Sequence, residues 1–203
     1  SEQSSTLRTR AFLLLRLALE HIQLSEPERA QELARQALDI IEPFARVDPG
    51  DRQARGDLGI FRSALGLATF RAGKPLEAVP ILLSALQEFD ALERAGSVAV
   101  DQRSEHGVAY RRAADVSRAL GQLDVARTQY EAALARLDRA PRDLEYQDEL
   151  ALALMRTGEL ASGAEARNWF TRSLAAWTDA EAMGIRPSTL RPGGTAHLRG
   201  LLQ

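Results

Sequence analysis

The groups in this 203-residue sequence that could do chemistry are three histidines, an acidic cluster and an arginine doublet. A helical zinc site needs two histidines one turn apart on the same face. His21 and His106 each follow a glutamate directly, as Glu20-His21 and Glu105-His106, and His197 stands alone. Adjacent residues on a helix do not face a common point, so neither pair is a ligand set. His21 falls at a helix-packing position and reads as a core or groove residue. Glu145, Asp148 and Glu149 lie near a helix N-terminus, where carboxylates favour the helix dipole, and read as a solvated face rather than an acid–base pair. Arg111-Arg112, with Arg118 close by, suits an acidic segment or a phosphate, but such a cluster is usually a solvated face. Gly66, Gly73 and Gly121 follow no strand, so they form no phosphate loop. These residues therefore assign no catalytic, metal or cofactor site. The expectation is a protein that is not an enzyme and needs no cofactor.

Composition narrows the field further. Hydrophobic residues make up 45% and charged residues 27%, which is globular rather than disordered. A net charge of -2 argues against a general nucleic-acid or anionic-membrane surface. There is no cysteine, hence no disulfide or thiolate chemistry. No apolar run approaches the ~20 residues of a membrane helix; the longest, Ala11 to Leu19, is broken by Arg16. The opening SEQSSTLRTR is no signal peptide and reads as a domain cut from something longer. A cytoplasmic location is the expectation, with an extracytoplasmic domain of a membrane protein as the alternative.

The elements that would position these residues are all helical. Residues 1–6 are polar and read as a flexible tail. Apolar residues then recur at helical spacing in eight segments, about 7–23, 27–47, 51–72, 75–95, 98–120, 123–138, 144–157 and 164–183. Ser25 and Glu28 give a capping-box signal. Pro43 should end or kink the second helix, and Pro80 should kink the fourth. Gly184 to Gly194 reads as a loop, and Thr195 to Leu202 as a short closing helix.

Four corners, Ser25, Gly73, Gly121 and Gly158, are 48, 48 and 37 residues apart. Aligning on them superposes Leu17-Ala18, Leu65-Gly66, Ala113-Ala114 and Leu150-Ala151 before the corner. After it come Ala30, Ala78, Ala126 and, with three residues inserted, Ala166. Self-similarity at a fixed period marks a solenoid. An ordinary all-α bundle is the alternative.

The pattern resembles the tetratricopeptide repeat over about residues 11–183, best in Leu65 to Leu86 and next in Ala113 to Leu134. The period is longer than the family's ~34 residues, and only Tyr110 supplies the early aromatic. The WFTRSLAAWTDAEAMG ending and the DPGD linker also resemble repeat arrays that follow bacterial serine/threonine protein kinase domains, although no kinase motif is present. The resemblance implies a right-handed α-α superhelix of about four long helix hairpins and a short C-terminal helix. Its repeats would be 7–47, 51–95, 98–138 and 141–183, with 184–203 as loop and cap.

In this family the first helix of each hairpin lines the concave face. The resemblance therefore implies a peptide-binding groove of Phe12, Leu15, Leu19, Ile60, Ser63, Leu67, Phe70, Arg111, Asp115, Arg118 and Leu152. Its partner would be a protein or peptide segment, and the chain would be a scaffold, read as an accessory domain of a bacterial signalling protein. The alternative is a self-associating module in which the apolar first helix makes a homodimer. No nucleic acid and no membrane insertion are expected.

Overall fold

The contact that sets the hairpin geometry is Gly66 against Leu82. A methyl group at Gly66 would lie 2.5 Å from the Leu82 Cγ, so only glycine lets the two helices approach this closely. The computed structural model describes residues 2–96, 100–138, 144–182, 184 and 194–202, without the side chains of residues 2, 3, 100, 101, 144 and 145. Among them, the chain forms α1 (Glu2–Gln23), α2 (Pro27–Val47), α3 (Arg52–Arg71), α4 (Pro75–Arg94), α5 (Val100–Ala119), α6 (Leu123–Leu137), α7 (Leu144–Glu159), α8 (Gly163–Ala182) and α9 (Gly194–Leu201). Adjacent helices pack as hairpins α1–α2, α3–α4, α5–α6 and α7–α8, and each hairpin stacks on the next.

Within each hairpin the second helix presents a stripe of buried residues. Ala30, Ala34 and Ala37 are repeated by Ala78, Leu82 and Ala85, and by Ala126, Tyr130 and Ala133. Between hairpins, Phe61 and Leu65 of α3 are fully buried in one cluster with Leu38 and Ile41 of α2. Each such side chain contributes about 1.5–3 kcal/mol of burial. Phe89 and Val116 join α4 to α5 in the same way.

The first three corners are one structure repeated. Ser25, Gly73 and Gly121 take left-handed backbone with φ of 61°, 76° and 75°. Each donates its N–H three residues back, to Ile22, Phe70 and Arg118, and the next residue donates five back, to His21, Thr69 and Ser117. This pair of bonds is the Schellman ending of a helix.

Several expectations are corrected here. Helix α1 begins at Glu2, so residues 2–6 are helical rather than a flexible tail. The expected capping box is absent: α2 has Glu26 at its N-cap with no side-chain cap bond, because Ser25 is occupied as the left-handed corner. Of the two outcomes expected at Pro43, ending is excluded: α2 continues through it to Val47, as α4 continues through Pro80 to Arg94. The fourth corner is not Gly158, which lies inside α7; there a methyl group would sit 2.6 Å from the Phe170 ring. Glycine at 158 serves close packing instead of a turn. The second helices start at Pro27, Pro75, Leu123 and Gly163, spacings of 48, 48 and 40. With Ala161 as the fourth corner, Ala166, Phe170 and Ser173 fall in register with no insertion. Ala153-Leu154, rather than Leu150-Ala151, then match Leu65-Gly66. The break expected at Gly96-Ser97 opens at Gly96, whose φ is 63°; Ser97, the turn expected at 139–143 and most of the loop before α9 lie outside the described residues.

Candidate functional site

The inner side of the array is built by α1, α3, α5 and α7, and it encloses a pocket of about 220 Å³. Phe12, Leu15, Leu19, Ile60 and Val108 form its apolar wall, and Arg16, Glu105, Arg112, Tyr146 and Glu149 its polar side. These positions come together because they recur on one face: Phe12, Ile60 and Val108 are each 48 residues apart. Phe12 is 37% exposed and meets Phe61 edge-on at 5.0 Å. Leu15 is buried, and Leu19 and Ile60 are half-buried.

Arg112 lies at the back of this pocket, 7% exposed. One of its terminal nitrogens donates to the Ser63 Oγ at 2.9 Å, and its Nε has no hydrogen-bond partner. Burial lowers its pKa against the pull of Glu149 and Glu105. Ser63 is thus inside, holding this guanidinium, and does not face the opening.

The other expected groove residues have different places. Arg111 and Asp115 are buried in a network between α5, α6 and α7. Arg111 donates to Glu149 and, at 2.5 Å, to Asp115; the Tyr130 hydroxyl donates to Asp115 at 2.5 Å. Burial alone would lower the Arg111 pKa, but Glu149 and Asp115 outweigh it and push it up. Burial and then Asp115 push the Tyr130 pKa up. Arg118 pairs with Glu159 at 3.1 Å, and Arg156 binds the same carboxylate at 2.9 Å. Leu67 is in the core between the first two hairpins. Phe70 packs half-buried in the cluster of α4 and α5. Leu152 is in the C-terminal core and, by the 40-residue spacing, takes the place of Arg112 rather than Asp115. Trp177 is fully buried in that core beside Leu198 of α9, with its Nε1 donating to Asp148 at 2.9 Å. The Arg172 guanidinium covers the ring of half-buried Trp169 at 4.8 Å.

One cluster is not legible in the sequence. His106 accepts from the Arg136 Nε at 3.1 Å through Nδ1 and donates to Asp90 at 2.9 Å through Nε2. The Tyr110 hydroxyl donates to the same Asp90 at 2.9 Å, and Arg136 pairs with Glu93 at 2.5 Å. Asp90, Glu93 and His106 have ligand atoms within 4.8 Å of one another. The Arg136 guanidinium already supplies the positive charge at this spot, so the group is a joint between α4, α5 and α6 and not a cation cage. Burial, with Arg136 next, lowers the His106 pKa. Burial and the Asp90 bond push Tyr110 up to about 12. The adjacent Glu105-His106 pair carries no hint of this. The partners lie on neighbouring helices, beyond the reach of local spacing.

The fold is a TPR-like helical repeat superhelix. It is similar to two structures of a Podosopora anserina putative kinesin light chain with nearly identical TPR-like repeats. One of them, a single-residue variant, shares 20% identity over 85% of this chain and 76% of that one, at a TM-score of 0.54. The other shares 18% identity over 96% and 84%, at 0.53. BtubC from P. vanneervenii is similar at 16% identity over 90% and 67%, with a TM-score of 0.54. At these identities the likeness is one of fold. No family model and no curated protein matches the chain.

Proposed function

We propose that this chain is a non-enzymatic scaffold that binds a segment of another protein in the groove lined by α1, α3, α5 and α7. The observation that carries this is the apolar wall of Phe12, Leu15, Leu19, Ile60 and Val108, drawn from three hairpins and left open at Phe12. TPR-like arrays are in general protein-interaction scaffolds. An apolar groove with Arg16, Arg112, Glu105 and Glu149 at its side suits an amphipathic segment, whose apolar residues fill the wall and whose polar residues meet the charges. The likeness to arrays behind bacterial kinase domains supports a place as an accessory domain in signalling.

The test is capture from a native lysate by the immobilised chain, compared with Phe12→Asp. Phe12 is partly exposed, so the variant is expected to fold. The expected result is loss of the specifically captured protein with an unchanged circular dichroism spectrum. Capture that is identical for both proteins overturns the groove reading.

A further inference from the structure

The outer face of α1 is the part of the array whose residues are in core register but have no hairpin against them among the described residues. Thr6, Arg10, Leu13, Leu17, Glu20 and Leu24 are spaced four, three, four, three and four apart, which is one continuous stripe of a helix. Forty-eight residues later the same stripe of α3 holds Ala54, Leu58, Phe61, Leu65 and Ala68, all buried in the core cluster that joins it to the first hairpin. On α1 the stripe is open, with Leu13 61%, Leu17 50% and Leu24 66% exposed. The opposite end of the array is closed, since α9 sets Leu198 fully buried against the last hairpin.

The two stripes differ in charge at two positions. Where α3 has Leu58 and Ala68, α1 has Arg10 and Glu20, placed equally far on either side of the Leu13–Leu17 pair. Both are exposed, and neither has an ion-pair partner among the described residues. Opposite charges placed symmetrically about an apolar centre are self-complementary under a two-fold axis. We infer that a second copy of this chain packs on α1, antiparallel, as an isologous dimer. Leu13 of each copy meets Leu17 of the other, and Arg10 of each meets Glu20 of the other. Thr6 of each copy then lies by Leu24 of the other. The 22 residues of α1 make a helix about 33 Å long. A single helix pair is at the small end of specific interfaces, so the dimer is expected in the micromolar range.

Sedimentation velocity of the full chain from about 1 to about 300 µM tests this range. A concentration-dependent shift from monomer to dimer is expected; a monomer throughout overturns the inference. The Leu13→Glu, Leu17→Glu double variant should remain monomeric with an unchanged melting temperature, because both side chains are exposed in the monomer. A dimer that survives the double variant places the interface elsewhere and overturns the inference. Arg10→Glu alone and Glu20→Arg alone should each raise the dimer Kd roughly tenfold, by making two like-charge contacts per dimer. The two together should restore it. Failure of the combined swap to restore association overturns the antiparallel pairing. Phe12→Asp, which addresses the groove, should leave the dimer unchanged, so the two surfaces are separable.

Discussion

At the scale of single residues, Arg111, Asp115 and Arg118 of the inner helix α5 are internal connectors. Arg111 is fully buried, with Glu149 and Asp115 on its guanidinium and Tyr130 on Asp115. Removing one member of such a set leaves the others charged and desolvated. Arg111→Met should therefore cost about 3–5 kcal/mol in urea denaturation, with Arg111→Lys recovering only part, since an ammonium cannot span both carboxylates with a planar fork. His106 gives a pH dependence. It is 1% exposed, packed among Phe89, Tyr110, Asp90, Glu93 and Arg136. Its folded pKa lies below the usual 6.5, from burial and then Arg136. Between that lowered value and 6.5 the unfolded chain binds more protons, so stability rises with pH there and falls as the solution is acidified below about 6.5. One group contributes a slope of at most about 1.4 kcal/mol per pH unit. His106→Gln should flatten the pH dependence of the denaturation midpoint below about pH 6.5. A slope unchanged by the substitution assigns the dependence to other groups.

At the scale of elements, what repeats is a corner and a close approach, and the two are satisfied by different residues. Ser25 occupies a left-handed corner that Gly73 and Gly121 fill without strain. Ser25→Gly should therefore stabilise the chain by about 0.5–1 kcal/mol, and Gly73→Ala should destabilise it by about 1 kcal/mol, both read by thermal unfolding. Gly66→Ala acts differently. It pushes a methyl against Leu82, which is 1% exposed and has no room to retreat, and should cost about 1–3 kcal/mol. These same residues show how much of the fold is legible in the sequence. The eight hairpin helices and the 48-residue period are legible because apolar spacing and glycine corners are local signals. Spacing reads Ser25 as a corner, but serine is also the ordinary N-cap residue, so it reads as a cap as well; its backbone conformation keeps the first reading and removes the second. A glycine for turning and a glycine for close packing look identical in a sequence, so Gly158 reads as a corner. That shifts the fourth repeat and displaces Leu152. Phase alone brings Phe12, Leu15, Leu19 and Ile60 together around the pocket. Arg111, Asp115 and Ser63 have the same phase, yet lie buried. Phase gives the direction a side chain points, and the neighbouring repeat decides whether anything covers it.

At the scale of the whole molecule, each hairpin touches chiefly its neighbours, so stability is close to a sum of hairpin and interface contributions. The apolar core is likewise divided along the array: one cluster covers α1 to α3, another α4 and α5, a third α7, α8 and α9 together with parts of α5 and α6, and a small fourth α5 and α6. A defect at one end should therefore loosen that end without melting the other. Leu198 on the eight-residue α9 is the sharpest place to test this, because it is fully buried beside Trp177 and Met155 while most of its own helix is exposed. Leu198→Ala removes the buried contact and leaves a cavity at the last interface, a change worth about 2–5 kcal/mol where it acts. In an all-or-none fold, that loss would lower the protection of every slowly exchanging amide equally. In a linear array it should fall on α7 and α8, with α1 to α3 keeping their wild-type exchange rates. Hydrogen exchange followed by mass spectrometry distinguishes the two outcomes. Protection lost uniformly from α1 to α8 would show that the hairpins fold as one cooperative unit. Loss confined to the C-terminal hairpins would leave the groove wall of α1 and α3 formed, and segment binding through Phe12 and Ile60 should then persist in the variant.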